Sequence, residues 1–445
     1  MMNSKNTTDQ MSPVKEDNRM LHSNLPFLTV ATQAIRSSAL VGCGLLCLFS
    51  TGTAQAQGIV RAWGMGGAGT ATSRGLEAVA YNPANLAFSH GTSIGLAAVA
   101  VDVHNNAFSL DRYNDITGKY LDSSDKAQVL NDIPDDGLKL DADLNASALG
   151  FQTGSFAFSF NGIGAGQGNL DKDYFDLVLN GNQLDQSVDF SNTWGDGYAV
   201  GTATVSYGLV VRDTGDSQLS VGVNARYLQG LYEMHVDEAY GVLNTSLSEI
   251  NGEAFIATQS SEGGQGFGMD LGLAYHTSND WNFGLAFDNV IGQINWTEGL
   301  ERQEMRVTAN DVNLLNGDLD KAVADADTSF AGESYTTNLP QRARLGAAHK
   351  FGEFMVAADY IQGFANRGVT STRPLFNTGV EWQVASFFVP RVGLSSGGER
   401  GNSASLGVGL KVGPWHLDAA AIARSAITPG ASKGVGVALG SVLQF

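Results

Sequence analysis

The sequence predicts an all-β protein, a transmembrane antiparallel β-barrel of about 14 strands, and three observations lead there. Fourteen segments of alternating hydrophobicity follow residue 91, most of them about ten residues long, the length at which a tilted strand crosses a bilayer. Their connections alternate between tight turns and long loops, as they do between the two rims of an outer-membrane barrel. Charged residues within the segments avoid the apolar parity.

Taken in order, the chain opens on a leader, residues 1–56. Ala39–Phe49 is an apolar run too short to span a bilayer as a helix. Arg36 precedes it and Ala54-Gln55-Ala56 follows it, the order of a secretory signal peptide cleaved after Ala56, with Met11 or Met20 as alternative starts. Leu40-Val41-Gly42-Cys43 resembles a lipoprotein cleavage box, but most of the apolar run follows Cys43 instead of preceding it. Both cysteines, Cys43 and Cys47, fall in the leader, so the mature chain is expected to hold neither a disulfide nor a thiolate metal site. The whole sequence carries 26 basic and 45 acidic residues, and the leader takes away four and three of them, leaving 22 against 42. So acidic a chain is no nucleic-acid binder, because phosphates need a basic surface. No later apolar run reaches eighteen residues, which excludes helical spans and leaves a soluble β-protein or a membrane barrel.

Residues 57–90 form the next unit. Gly64, Gly66, Gly67 and Gly69 lie within six residues and let the backbone press against another surface. Asn82-Pro83-Ala84 then sets a turn. On the residues alone this is equally a plug or a surface turn behind a glycine-rich tail. The GMGGA run followed by YNPANL, placed between a signal peptide and a first strand, resembles the start of the outer-membrane FadL-type superfamily, which includes long-chain fatty-acid transporters, PorV-like secretion components and uncharacterised families. YNPANLAF is closer to the uncharacterised members. The resemblance implies a fourteen-strand barrel with residues 57–90 as a hatch inside it.

Residues 91–445 supply the barrel, with strands expected near 92–102, 144–152, 154–162, 197–212, 217–231, 265–277, 281–291, 341–351, 353–363, 375–385, 387–396, 403–413, 415–424 and 433–445. Within them Arg226, Asp270, Asp288, Arg342, Arg344, Asp359, Glu381, Arg391, Lys411 and Asp418 all take the parity opposite to the apolar one. Lipid-facing arginine near the midplane costs about 2–4 kcal/mol, so these ten are expected to face a polar lumen. A soluble sandwich would alternate too, but it does not require this exclusion, the loop asymmetry and the leader together. The last strand ends on Phe445, which resembles the insertion signal of outer-membrane barrels. If residues 57–90 close the lumen, Arg61, Arg74 and Glu77 are placed to pair with lumenal charges; the alternative is a solvated interior with no fixed pairs.

The long loops are where recognition is expected. Tyr174, Phe175 and Leu177 in loop 163–196, and Val312, Leu315, Leu319, Val323 and Ala326 at helical spacing in loop 292–340, offer an apolar groove for a greasy ligand or a lid packed on itself. Asp132, Asp135, Asp136, Asp141 and Asp143 make one loop acidic, without the ordered spacing of a calcium site. Such loops also meet lipopolysaccharide. Gly162, Gly164, Gly166 and Gly168 suggest a bulge that opens the wall to the membrane, as the resemblance implies, or a flexible loop entry. Histidines are scattered and no hydrolase, zinc or phosphate motif occurs, so the chain reads as no enzyme, with no cofactor and no metal, although a dyad on the barrel wall would escape inspection. Two functions fit. One is passive uptake of hydrophobic, fatty-acid-like compounds through a hatch-plugged barrel in a Gram-negative outer membrane. The other is a PorV-like scaffold that docks a secretion or surface protein partner.

Overall fold

The computed structural model describes residues 59–246, 249–312, 323–367 and 370–445; the expected leader lies outside them. In chain order the strands are β1 (Thr92–Asn105), β2 (Leu138–Thr153), β3 (Phe156–Leu170), β4 (Ser187–Asp189), β5 (Trp194–Asp213), β6 (Ser217–Thr245), β7 (Ile250–Ser261), β8 (Gly263–Thr277), β9 (Trp281–Glu298), β10 (Glu301–Val312), β11 (Val323–Ala331), β12 (Tyr335–Asn338), β13 (Arg342–Phe351), β14 (Phe354–Gly363), β15 (Leu375–Trp382), β16 (Phe388–Gly397), β17 (Ser403–Val412), β18 (Trp415–Arg424) and β19 (Gly434–Gln444).

Fourteen of these, β1, β2, β3, β5, β6, β8, β9 and β13 to β19, pair antiparallel in succession, and β19 pairs back to β1 from Ser93 opposite Gln444 to His104 opposite Gly434. A closed barrel leaves no strand edge in the bilayer, where an unpaired backbone group would be costly. All fourteen coincide with the segments expected from alternation. Their outer parity is apolar and exposed, with Phe267 and Leu406 each at 68%. The inner parity carries the charge, with Asp270, Arg344, Asp359 and Arg391 buried.

The structure departs from the sequence reading beyond the membrane. β2, β3 and β6 run further out than expected, and β6 continues to Thr245 to pair with β7, which pairs with β10, which pairs with β11. Together they form a sheet that projects past the barrel. The helix expected from Val312 to Ala326 is replaced at its end by β11, which begins at Val323; Leu315 and Leu319 lie outside the described residues. The wall at Gly162, Gly164, Gly166 and Gly168 shows no bulge. β3 keeps an unbroken register with β5 from Phe156 to Asn169, and the nearby irregularity falls in β2 between Ser147 and Gly150. These glycines share the outer parity with Phe156 and Phe160, so they leave a trough on the outside of the wall instead of a hole through it.

Candidate functional site

The residues from Ile59 to Ser89 lie inside the barrel. Val60–Gly64 and Leu76–Tyr81 are short helices, and Pro83–Phe88 is a 3-10 turn started by Asn82, whose side chain accepts from the Ala84 N–H at 3.1 Å. The residues in direct contact with the wall explain why both surfaces are rich in glycine. A Cβ on Gly393 would fall 1.9 Å from the Gly66 nitrogen, one on Gly222 2.2 Å from the Ala84 nitrogen, and one on Gly272 2.1 Å from the Asn82 Oδ1. Gly284, Gly346 and Gly379 meet Thr70 and Met65 in the same way, and Gly64 faces Gly407. Gly66 and Gly67 also hold φ of 68° and 96°, a region that L side chains rarely adopt. Gly69 instead makes room for the Tyr81 ring.

This inward-facing glycine band was missed in the sequence. Its signal was present: glycine recurs on the lumenal parity of successive strands, at the height where β5, β6 and β8 align Gly208, Gly222 and Gly272 in register.

Hydrogen bonds fix the segment at three places. The Asp359 carboxylate accepts from the N–H groups of Gly69 and Thr70, both at 2.9 Å, and from the Thr70 hydroxyl at 2.7 Å. Asn82 donates to the Leu273 carbonyl at 2.9 Å and Ser220 donates to that of Ala84 at 2.9 Å, while the Pro83 and Ala84 backbone is buried against β6 and β8. Arg61 forms a fork on Glu381 at 2.7 and 3.1 Å and also meets Glu77 at 3.3 Å. Bidentate geometry of this kind makes strong charge-assisted bonds.

The in-strand charges join into networks around it. Arg391 donates to Glu381 at 2.7 Å and to Asp418 at 2.5 Å, extending the Arg61 fork along the wall. Asp288 is shared by Arg342 and by Arg344, the latter at 2.8 Å, and the Arg344 guanidinium lies 4.9 Å from the Tyr81 ring centre. Arg226 pairs with Asp270 at 2.6 Å. Lys411 stands apart at the end of β17, half-buried. Among the described residues Arg74 takes no carboxylate; it donates to Asn282 at 3.0 Å. The acidic loop is likewise paired, with Asp132 on Arg112, Asp135 on Lys172, and both Asp141 and Asp143 on Arg400.

Two cavities flank the segment. One of about 940 Å³ stands in the lumen above it, floored by Trp63, Gly66 and Val79 and walled by Arg226, Arg342, Arg344 and Arg367 together with their partners Asp270, Asp288 and Asp196. The other, about 1080 Å³, is mostly apolar and follows the outer trough, with Val103, Leu140, Leu144, Met234, Ile256 and Met305 on its sides and Gly164 to Gly168 at its base. Tyr174, Phe175 and Leu177 do not line it. They sit on the helix Lys172–Asn180, where Phe175 packs against Ala107, Ile133 and Leu138, and Tyr174 is buried beside it, closing the loops over one another as a lid.

A closed fourteen-strand wall, apolar outside and charged inside, defines an outer-membrane-type β-barrel of FadL-like fold. The chain belongs to a family of unknown function (DUF5723), which matches residues 83–263 and 244–421. No curated protein matches it. Among solved structures, a deletion mutant of the monoaromatic hydrocarbon channel TodX is 13% identical over 87% of this chain and 98% of its own, with a TM-score of 0.51, and supports the fold. The toluene transporter TbuX of Ralstonia pickettii is 16% identical over 87% and 98%, at 0.48, and a FadL homologue of Pseudomonas aeruginosa is 14% identical over 89% and 100%, at 0.47.

Proposed function

We propose that this barrel is a passive outer-membrane channel for hydrophobic compounds carrying a polar or anionic head, fatty-acid-like in character, and that residues 57–90 are its hatch. The observation that carries the reading is the lumenal cavity resting on the segment, walled by arginines and the carboxylates paired with them, with a larger apolar cavity beside it. An apolar chain suits the outer cavity, and a polar head suits the lumenal one, where arginines and carboxylates share the wall. TodX is a monoaromatic hydrocarbon channel, and extending that broad class of cargo to this chain is part of the proposal. In this reading the hatch shifts by exchanging its bonds to Asp359 and Glu381.

The test is uptake of a fluorescent long-chain fatty acid by proteoliposomes carrying the full chain. Uptake above that of protein-free vesicles, raised by Asp359→Ala, supports the channel. Uptake equal to that of empty vesicles sinks it. The projecting sheet favours a second reading, a scaffold of the PorV-like kind, because among the described residues β11 pairs on one side only, with β10, and an open edge invites a partner strand. Native mass spectrometry from mild detergent separates the two: a bound apolar ligand supports the channel, and a stable protein partner without ligand supports the scaffold.

A further inference from the structure

The outer rim of the barrel brings three side chains into the order of a serine-hydrolase triad. His104, next to last on β1, stands directly opposite Asp141 on β2 in the strand register, and its Nδ1 lies 2.8 Å from the Asp141 Oδ2. On its other side β1 meets Gly434 of β19, where a Cβ would come within 2.9 Å of the His104 Cβ. The missing side chain lets the imidazole reach across β19. Its Nε2 arrives 2.7 Å from the Oγ of Ser425, the residue that follows β18.

The backbone at Ser425 is a second, independent observation. Four non-glycine residues among the described ones have positive φ, and three of them are Asp185, Asp280 and Asn289, types that tolerate it. Ser425, at φ 60°, is the fourth. Strain of this kind persists where surrounding structure enforces it, and nucleophiles on sharp turns are a recurrent case. Location is the third. His104 and Asp141 belong to the walls of both cavities, so the imidazole sits where the apolar trough meets the arginine-walled lumen, and Ile427 brings the serine's own loop to the trough.

We propose that Ser425, His104 and Asp141 form an esterase site for carboxylic esters with an apolar acyl chain. Asp141, also held by Arg400 through its other oxygen, is the positioning residue: it takes the Nδ1 proton in a hydrogen bond and leaves Nε2 as the acceptor. The Ser425 hydroxyl lies 2.8 Å from the Arg400 carbonyl as well, and it turns its single hydrogen from that carbonyl to Nε2. Ser425 Oγ then bonds to the ester carbonyl carbon as His104 takes its proton. The tetrahedral adduct collapses, the C–O bond to the alcohol breaks, and His104 returns the proton to the leaving oxygen. Water, deprotonated by His104, cleaves the acyl-serine to give the free acid and restore the enzyme. The acid is produced beside the arginine-walled cavity. This site does not rest on the channel reading, since hydrolysis is measured in detergent, where nothing is transported.

The experiment uses the full chain in mild detergent with a fluorophosphonate probe and p-nitrophenyl palmitate. The expected result is probe bonded to Ser425 and p-nitrophenol release that falls at least about a thousandfold in Ser425→Ala and His104→Ala. Ser425→Gly, which accepts the positive φ without strain, must be equally inactive while keeping the unheated gel mobility of a closed barrel. Asp141→Asn loses turnover and Asp141→Glu restores part of it, a rescue that a merely structural carboxylate would not give. Wild-type protein that neither reacts with the probe nor turns over ester overturns the proposal. So does turnover that survives Ser425→Ala, or labelling of Ser425 undiminished in His104→Ala.

Discussion

Asp359 shows how one residue governs the N-terminal segment. Its carboxylate is buried and collects two backbone N–H groups and a hydroxyl from Gly69 and Thr70. Hydrogen bonds to a charged group contribute about 1.5–3 kcal/mol each, so Asp359→Ala is expected to weaken docking by roughly 3 kcal/mol even after water replaces part of the set. Limited trypsin digestion checks this: cleavage at Arg61 or Arg74 should appear in the variant and be absent from wild type. Gly393→Val should act more strongly, because the new Cβ lands on the Gly66 nitrogen and neither backbone can yield. Trypsin reads that variant too, and protection as complete as in wild type would show that the close approach is not needed. In the sequence Asp359 was legible only as one of ten lumenal charges. Its partners are mostly backbone N–H groups, which leave no mark in residue type.

Elements were legible wherever the bilayer enforces a pattern. Each of the fourteen barrel strands alternates because one side meets lipid and the other water or the segment within, and lipid tolerates no exception. Leu406→Arg, on the exposed face of β17, should therefore cost about 2–4 kcal/mol, whereas Leu406→Phe should be neutral; urea unfolding in lipid vesicles measures both. β4, β7, β10, β11 and β12 escaped the reading for the complementary reason. Beyond the membrane no lipid sorts the two faces, and β7 is buried on both from Ala254 to Ala257, so the period-two signal fades, and an apolar spacing such as Val312 to Val323 mimics a helix where a strand begins. The glycines of β3 were seen, but their parity was not used, and parity is what turns an expected breach into an outer trough.

At the scale of the whole molecule, barrel closure depends on strands and not on the segment inside. The wall is continuous through β1 and β19, so a chain lacking residues 59–89 should still fold, keep its heat-modifiable gel mobility and insert into bilayers. Its single-channel conductance should rise steeply over wild type, because the glycine band and the charged networks would then face open water. A deletion that conducts no better than wild type would place the barrier in the lid of loops. The triad adds what neither level of sequence reading could supply. His104 and Asp141 face each other across the successive strands β1 and β2, but Ser425 follows β18, and only barrel closure makes β1 and β18 neighbours across β19.

That seam also dictates an order of events. The Thr92 N–H donates to the Phe445 carbonyl at 3.0 Å and the Phe445 N–H donates back to the Thr92 carbonyl at 2.9 Å, so the wall is sealed where β1 meets β19. Only the residues between Phe88 and Thr92 separate the inner segment from β1, so it stays tied to the seam that closes around it. It is a cork laid between the staves before the final stave arrives. A segment slow to settle against Gly222 and Gly393 would hold the seam open, and this barrel's assembly rate would then be set by its filling and not by its wall.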